Sequence, residues 1–380
     1  MDRKVKYYND LSRIPQLSDA EKADLQAVAD KFVFRTNSYY LSLIDWDDPA
    51  DPIRRMIIPQ NSELEQWGDL DPSNEAAYKI MPGLEHKYDS TALILVSEAC
   101  DSICRYCFRK RVFMDASDDR IDNVDEMLDY IRTHTEISNV LLTGGDPLTL
   151  STEKLEMIIA ELRKIEHIRI IRIGSKLPVF NPYRIIDDPS LAKMVEKYSL
   201  PDRKIYVMTH FMHPNELTET AVKGLNILQN AGAIVNNQCP VLRGVNDNPA
   251  VLAELWRELS FAGVIPYYAF QCRPALGNRD FTVPIEEAYD IVEQAKARVS
   301  GLAKRVRFAM SHSTGKIEIA AKTRDYILFK YHRAQDNTDS SRILVCKRNP
   351  NACWLDDYEE VVESFRPADK CWSLKPEETR

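Results

Sequence analysis

From residue 92 onward the chain alternates short apolar runs with longer amphipathic stretches. Residues 92–96, 140–143, 168–173, 204–209, 234–238 and 265–270 are strand-like apolar runs. The stretches between them, 122–135, 152–165, 189–198, 217–231 and 249–262, have helical length and polarity. Strand–helix alternation predicts parallel strands joined by right-handed crossovers. Six such units predict an α/β fold built as an open or incomplete (β/α)6 barrel, whose site gathers at the C-terminal ends of the strands.

Outside this core the pattern changes. Residues 1–85 read as helical and irregular, a cap over the core. Ser18-Asp19-Ala20-Glu21 predicts a capping box that opens a helix to about Phe32. The Asp-, Pro- and Arg-rich stretch 45–60 reads as loop. After a further helical stretch at 285–299, strand-like runs at 305–310, 326–331 and 342–346 predict a β-rich extension ending in a polar tail. The expected organisation is an N-terminal helical cap (1–85), a core (86–300) and a C-terminal segment with its extension (301–380).

A chain of 380 residues with 44% hydrophobic and 28% charged residues can bury a substantial core. Its net charge of −8 disfavours general nucleic-acid binding. No run has membrane-spanning length, and the N-terminus carries no secretory pattern. Eight cysteines, three of them in one tight motif, do not resemble a disulfide framework and point to a reducing, cytoplasmic setting.

That motif is Cys100-Asp101-Ser102-Ile103-Cys104-Arg105-Tyr106-Cys107, directly after the first strand-like run. Three neighbouring thiolates suit a [4Fe–4S] cluster with one iron left open for a small molecule. Structural zinc competes, but it wants a fourth nearby Cys or His, and the next cysteine is Cys239. A chance group of buried thiols is the bland alternative. Gly144-Gly145-Asp146, Gly174-Ser175, His210, Gln238 and Arg273 all fall at the ends of later strands. Taken singly each is ordinary: Gly-Gly-Asp is a common turn, and Arg109 stands in a basic run. His210 and His213 lack a third ligand, and Lys316 after a glycine is more often a surface lysine.

Together the cysteine motif and Leu141-Leu142-Thr143-Gly144-Gly145-Asp146-Pro147-Leu148 resemble the radical S-adenosylmethionine (SAM) superfamily. The likeness extends to the lysine 2,3-aminomutase family through Pro82-Gly83-Leu84-Glu85-His86-Lys87-Tyr88 and Ile171-Arg172-Ile173-Gly174-Ser175. Thr209-His210-Phe211-Met212-His213-Pro214-Asn215-Glu216 and Leu242-Arg243-Gly244-Val245-Asn246-Asp247 continue it. The resemblance implies a radical SAM barrel, with a cluster on Cys100, Cys104 and Cys107. It implies SAM bound by Gly144, Gly145, Asp146, Gly174, Ser175, His210 and Gln238. Lys316 would be the lysine joined to pyridoxal 5′-phosphate (PLP), with Lys87 and Tyr88 near its phosphate. Arg109 would pair with the α-carboxylate of an amino-acid substrate.

The pattern also departs from the family. Thr91 stands where a phosphate-site arginine is expected, so phosphate binding is weaker or differently built. Lysine-specific members grip the ε-ammonium with two aspartates; here those positions hold Arg273 and the Ala309-Met310 pair. Free lysine would meet like charge, which favours a glutamate-like substrate unless Arg273 instead pairs with Asp280. An intersubunit zinc site is not expected, because Asn248 replaces one ligand and Cys346, Cys353 and Cys371 are widely spaced.

The expected activity is therefore amino migration from Cα to Cβ, an isomerase reaction. The cofactors would be the cluster, SAM and PLP, reduced by a flavodoxin- or ferredoxin-type donor, in a homo-oligomer. Two alternatives remain: a 2,3-aminomutase for free or protein-attached lysine, and a non-catalytic Fe–S or SAM-binding regulator.

Overall fold

Near the start of the chain two short strands, β1 (Tyr7–Tyr8) and β2 (Thr36–Asn37), pair antiparallel. Among the described residues the other strands join one mixed sheet of 13. In chain order these are β3 (Lys79–Met81), β4 (Leu84–Tyr88), β5 (Thr91–Ser97), β6 (Asn139–Gly144) and β7 (Ile170–Gly174). Then come β8 (Ile205–Thr209), β9 (Ile234–Pro240), β10 (Ile265–Phe270) and β11 (Arg307–His312). The last four are β12 (Gly315–Lys322), β13 (Tyr326–Ala334), β14 (Ile343–Lys347) and β15 (Val361–Phe365). Each strand lies beside its neighbour in sequence. This computed structural model describes residues 5–114 and 123–366; the first residue of the expected 122–135 helix, and Cys371 with the polar tail, lie outside them.

Strands β5 to β11 run parallel, and antiparallel strands flank them on both sides. All six expected strands are present, and the 305–310 run joins them as a further parallel strand rather than opening a separate extension. The helix Ile285–Ala297 makes this possible, because it supplies a crossover between β10 and β11 like those between earlier strands. Periodicity reveals such a strand but not the direction in which it pairs.

The crossover helices form where caps and apolar stripes coincide. In Val124–Thr133, Asn123 caps the N-terminus, and Met127, Leu128 and Ile131 turn inward. Across β6, Val140 and Leu142 are buried, and across β7, Ile171 and Ile173. Burial of each such side chain contributes about 1.5–3 kcal/mol. Because a strand alternates, Leu141, Thr143 and Arg172 point to the opposite face, and it is this face that carries the polar chemistry.

The 1–85 region holds the expected helix Asp19–Lys31, with Ser18 and Glu21 forming the capping box. The 45–60 stretch is not all loop: Pro52–Ile57 is helical, capped by Asp51, and buries Ile53, Met56 and Ile57. An Asp followed by Pro at the first helical position is itself a start signal, outweighed in the reading by composition. Among the described residues no helix is long and apolar enough to cross a membrane.

Candidate active site

The cysteine loop leaves β5 and is tied at several points to the N-terminal region. Ile103 N donates to Arg35 O (2.9 Å) and Arg105 N to Met56 O (2.9 Å). The buried Arg105 guanidinium meets Glu63 through Nε (2.9 Å) and Nη2 (2.7 Å). Asp101 accepts from Tyr7 Oη (2.8 Å) and Asn181 Nδ2 (2.7 Å). The thiols lie close enough for Cys104 and Cys107 to act on Cys100, and for Cys104 to act on Cys107. Burial, then Asp146 and the other two cysteines, push Cys100 well up; burial and Cys104 push Cys107 to about 11. Without a positive centre these sulfurs stay protonated, and iron provides one. Among the described residues no group of three His, Cys, Asp or Glu side chains converges as single-ion ligands would. A cubane instead spreads its thiolates over separate irons, so this donor set fits a cluster better than zinc.

Against this loop lies Gly144-Gly145-Asp146. Gly145 N donates to Ser97 O (2.6 Å) and Asp146 N to Ala99 O (2.7 Å). A Cβ on Gly144 would sit 2.2 Å from Ser97 O, and one on Gly145 2.3 Å from Ala99 O. Gly144 also has φ of +123°. The glycines are thus required by contact between two backbones. The Asp146 carboxylate is fully engaged: Oδ1 accepts from Leu148 N (3.0 Å), and Oδ2 from Ser175 Oγ (3.0 Å), Lys176 N (2.8 Å) and Leu177 N (3.0 Å). Burial pushes its pKa up to about 6 even though these donors pull it down.

A buried polar chain runs behind the cysteines. Lys176 Nζ donates to Tyr106 Oη (2.9 Å) and pairs with Glu216 (3.1 Å), which also accepts from Tyr40 Oη (2.6 Å). His210 stacks on Tyr106, with centroids 5.8 Å apart, and its ring is bonded to the Gln238 backbone. Burial, with the Lys176 charge adding to it, lowers His210 to about 3, so its imidazole is neutral at pH 7.

Next to Cys107, Arg109 does not point into open space. Its Nη2 and Nε donate to the two oxygens of buried Glu75 (2.9 and 3.1 Å), and Nη1 to Thr143 Oγ1 (3.1 Å). Arg111 Nη2 reaches the same carboxylate at 2.6 Å. Arg273 lies 3.6 Å from Glu75 Oε1 and 3.6 Å from the centroid of Phe108. Its Nη1 is buried without a hydrogen-bond partner. Arg273 therefore approaches Glu75 rather than Asp280, whose backbone carbonyl accepts from Arg55.

Lys316 is the second residue of β12, and its Nζ lies 4.3 Å from the ring centroid of Tyr268 and 5.0 Å from that of Phe270. Burial and the charges of Arg172, Arg273, Arg333 and Lys87 push its pKa down to about 7. Lys87, lowered to about 8 by burial and Arg273, donates to His312 O (2.6 Å). An amine close to neutrality above aromatic rings, ringed by cations, fits a phosphorylated aldehyde cofactor.

A radical SAM superfamily model matches residues 94–255. An Aquifex aeolicus protein provisionally named an L-lysine 2,3-aminomutase is 52% identical over 96% of this chain and 98% of its own. The chain belongs to the lysine 2,3-aminomutase family of radical SAM enzymes. L-lysine 2,3-aminomutase of Clostridium subterminale is 41% identical over 76% of this chain and 68% of its own. Glutamate 2,3-aminomutase of Clostridioides difficile is 36% identical over 77% and 68%. The enzyme is thus an amino acid 2,3-aminomutase, an isomerase, and membership brings the cluster, SAM and PLP as cofactors.

Within this aminomutase the expected residues form two groups. Cys100, Cys104, Cys107, Gly144, Gly145, Asp146, Gly174, Ser175, His210 and Gln238 surround the ends of β5 to β9. Lys87, Tyr88, Arg273 and Lys316 form the second group, and Arg109 stands between the two. The second group reaches beyond the strand ends: Tyr88 pairs with Thr91, the first residue of β5, and Arg172 comes from the middle of β7. Sequence reasoning missed Glu75, Lys176, Glu216, Arg172 and Arg333. Lys176 directly follows the Gly174-Ser175 pair, and Arg172 and Glu216 stand within strings that carry the family resemblance, so these three could have been suspected; Glu75 and Arg333 carry no local signal.

Proposed function

We propose that this aminomutase moves the α-amino group to the β-carbon of an amino acid with an anionic side chain, glutamate being the first candidate. The observation that carries the proposal is Arg273, whose buried Nη1 has no hydrogen-bond partner and approaches Glu75 only to 3.6 Å, in a pocket it shares with Lys87, Arg172 and Arg333. A lysine ε-ammonium entering here would face Lys87, Arg172, Arg273 and Arg333, whereas a carboxylate would gain charge-assisted hydrogen bonds.

When bound, the cluster and SAM supply a carbon radical that takes a β-hydrogen, and PLP supplies the π-system across which nitrogen migrates. The chain's own part is positioning. Cys100, Cys104 and Cys107 are the cluster donors. Since the Asp146 carboxylate is taken up by its four donors, the 144–146 loop offers SAM its backbone. Gly174, Ser175, neutral His210 and Gln238 complete that side. Lys316 reaches its neutral form near pH 7 and can engage an aldehyde carbon without a separate base. Arg109 orients the substrate's α-carboxylate, which must exchange with Glu75.

Segment 68–78 closes the site from above. Asp69 N donates to Pro274 O (2.9 Å), Ser73 Oγ to Ser311 O (2.9 Å) and Tyr78 Oη to Ser313 O (2.6 Å). These contacts help exclude water from a radical reaction. The proposal includes a flavodoxin- or ferredoxin-type donor, a homo-oligomer and a cytoplasmic setting. A non-catalytic regulator would have no use for a lysine held near neutrality.

The test is anaerobic turnover of β-deuterated glutamate and lysine, following deuterium into 5′-deoxyadenosine and the β-amino product. Turnover of lysine but not glutamate would falsify the substrate assignment. Separately, Lys316→Ala should lose the PLP absorbance band and keep that of the cluster.

A further inference from the structure

Arg333 lies on β13 directly opposite Lys316 on β12. Cross-strand partners share a face of the sheet, so the two side chains leave it together. Its guanidinium turns toward the start of β5, donating from Nη2 to Ser90 Oγ (2.9 Å) and from Nη1 to Thr91 Oγ1 (3.2 Å). It lies 4.3 Å from the centroid of the Tyr88 ring. Two hydroxyls and a ring fix this guanidinium in place, but none of them offsets its charge. Among the described residues no carboxylate forms an ion pair with Arg333, Arg172 or Lys316.

Two guanidiniums, joined by Lys316 when it is protonated, repel each other around one face of a buried pocket, and holding them there costs stability unless an anion enters. The Ser90 and Thr91 hydroxyls add further donors to the same corner. A guanidinium fixed beside an aromatic ring, with hydroxyls next to it, is suited to a phosphate monoester.

We propose that Arg333 is the phosphate anchor of the PLP site, acting with the Ser90 and Thr91 hydroxyls, so that one hairpin carries both the aldehyde-reactive lysine and the phosphate ligand. This rests on the PLP assignment of Lys316. Its consequence is that cofactor affinity depends on β13, far along the chain from Lys87 and Tyr88.

The experiment compares PLP with pyridoxal, which lacks the phosphate, by absorbance titration of anaerobically purified full-length protein. The wild type should prefer PLP. Arg333→Gln should weaken PLP binding by about tenfold or more and leave pyridoxal binding unchanged, removing the preference. Arg333→Lys should restore part of it. Comparing both ligands on the same variant separates phosphate recognition from a general folding defect. If Arg333→Gln keeps the wild-type preference, the inference is overturned while the PLP assignment stands. A wild type that binds neither aldehyde overturns the assignment itself.

Discussion

The carboxylate of Glu75 grips the guanidinium of Arg109 at two points, 2.9 and 3.1 Å, inside the substrate pocket. It occupies the position that the substrate's α-carboxylate is proposed to take. Burial would raise the Glu75 pKa, but Arg109, Arg273 and Arg111 outweigh it and hold the group well below the carboxylate range. A depressed pKa contributes stability that is present above the unfolded value of about 4.3 and is lost as pH falls toward the folded value. Glu75→Gln should therefore cost about 3–5 kcal/mol at pH 7, and the gap from wild type should narrow below about pH 4. Added glutamate should raise the melting temperature of the variant more than that of wild type. Equal shifts in the two proteins would mean that the arginines do not receive free carboxylates.

Gly145→Ala should displace the cysteine loop, because the new methyl meets the Ala99 carbonyl at 2.3 Å, where nothing flexible can yield. We expect several-fold lower iron and sulfide per chain after reconstitution, with destabilisation of about 1–3 kcal/mol. Full iron loading would show that the two backbones can separate without harm to the site.

The Arg105–Glu63 pair, buried on both sides, anchors the same loop from behind. Replacing Glu63 by Gln leaves a buried guanidinium uncompensated and should cost about 3–5 kcal/mol in chemical denaturation of the cluster-free protein. A loss below about 1 kcal/mol would mark the pair as dispensable.

Lys316 should set a pH dependence of cofactor capture. Its folded pKa, about 7, lies below the ordinary lysine value of about 10.4. Between these values the unfolded chain binds more protons, so the stability of PLP-free protein attributable to this group rises with pH. The rate of PLP capture should climb through a midpoint near pH 7 and then level off. A midpoint near 10, read by stopped-flow absorbance, contradicts the proposed environment.

The repeating part of this protein could be read in advance: strands and crossover helices from apolar period, and the cysteine loop from spacing. Arg273 stood out because a cation replaced an expected anion. Its partner did not, since Glu75 lies in a polar stretch without periodicity and meets Arg273 only after the chain has folded across the sheet. Thr91 was recognisable as a lost arginine, but not the guanidinium that lies against it, because Arg333 arrives by strand pairing from β13. Short-range chemistry leaves marks in sequence; ion pairs between distant segments leave almost none.

The contact between Gly145 and Ala99 limits how such an enzyme can be retuned. Peptide groups set the spacing between the glycine and cysteine loops, and surface substitutions on either loop have little leverage over it. The contacts of Lys176 with Tyr106 and Glu216 are different: they run between side chains rather than between those peptide groups. A scaffold of this kind would therefore tune the surroundings of a bound cluster through its buried polar backing, while Gly145 and Ala99 hold the two loops at one spacing.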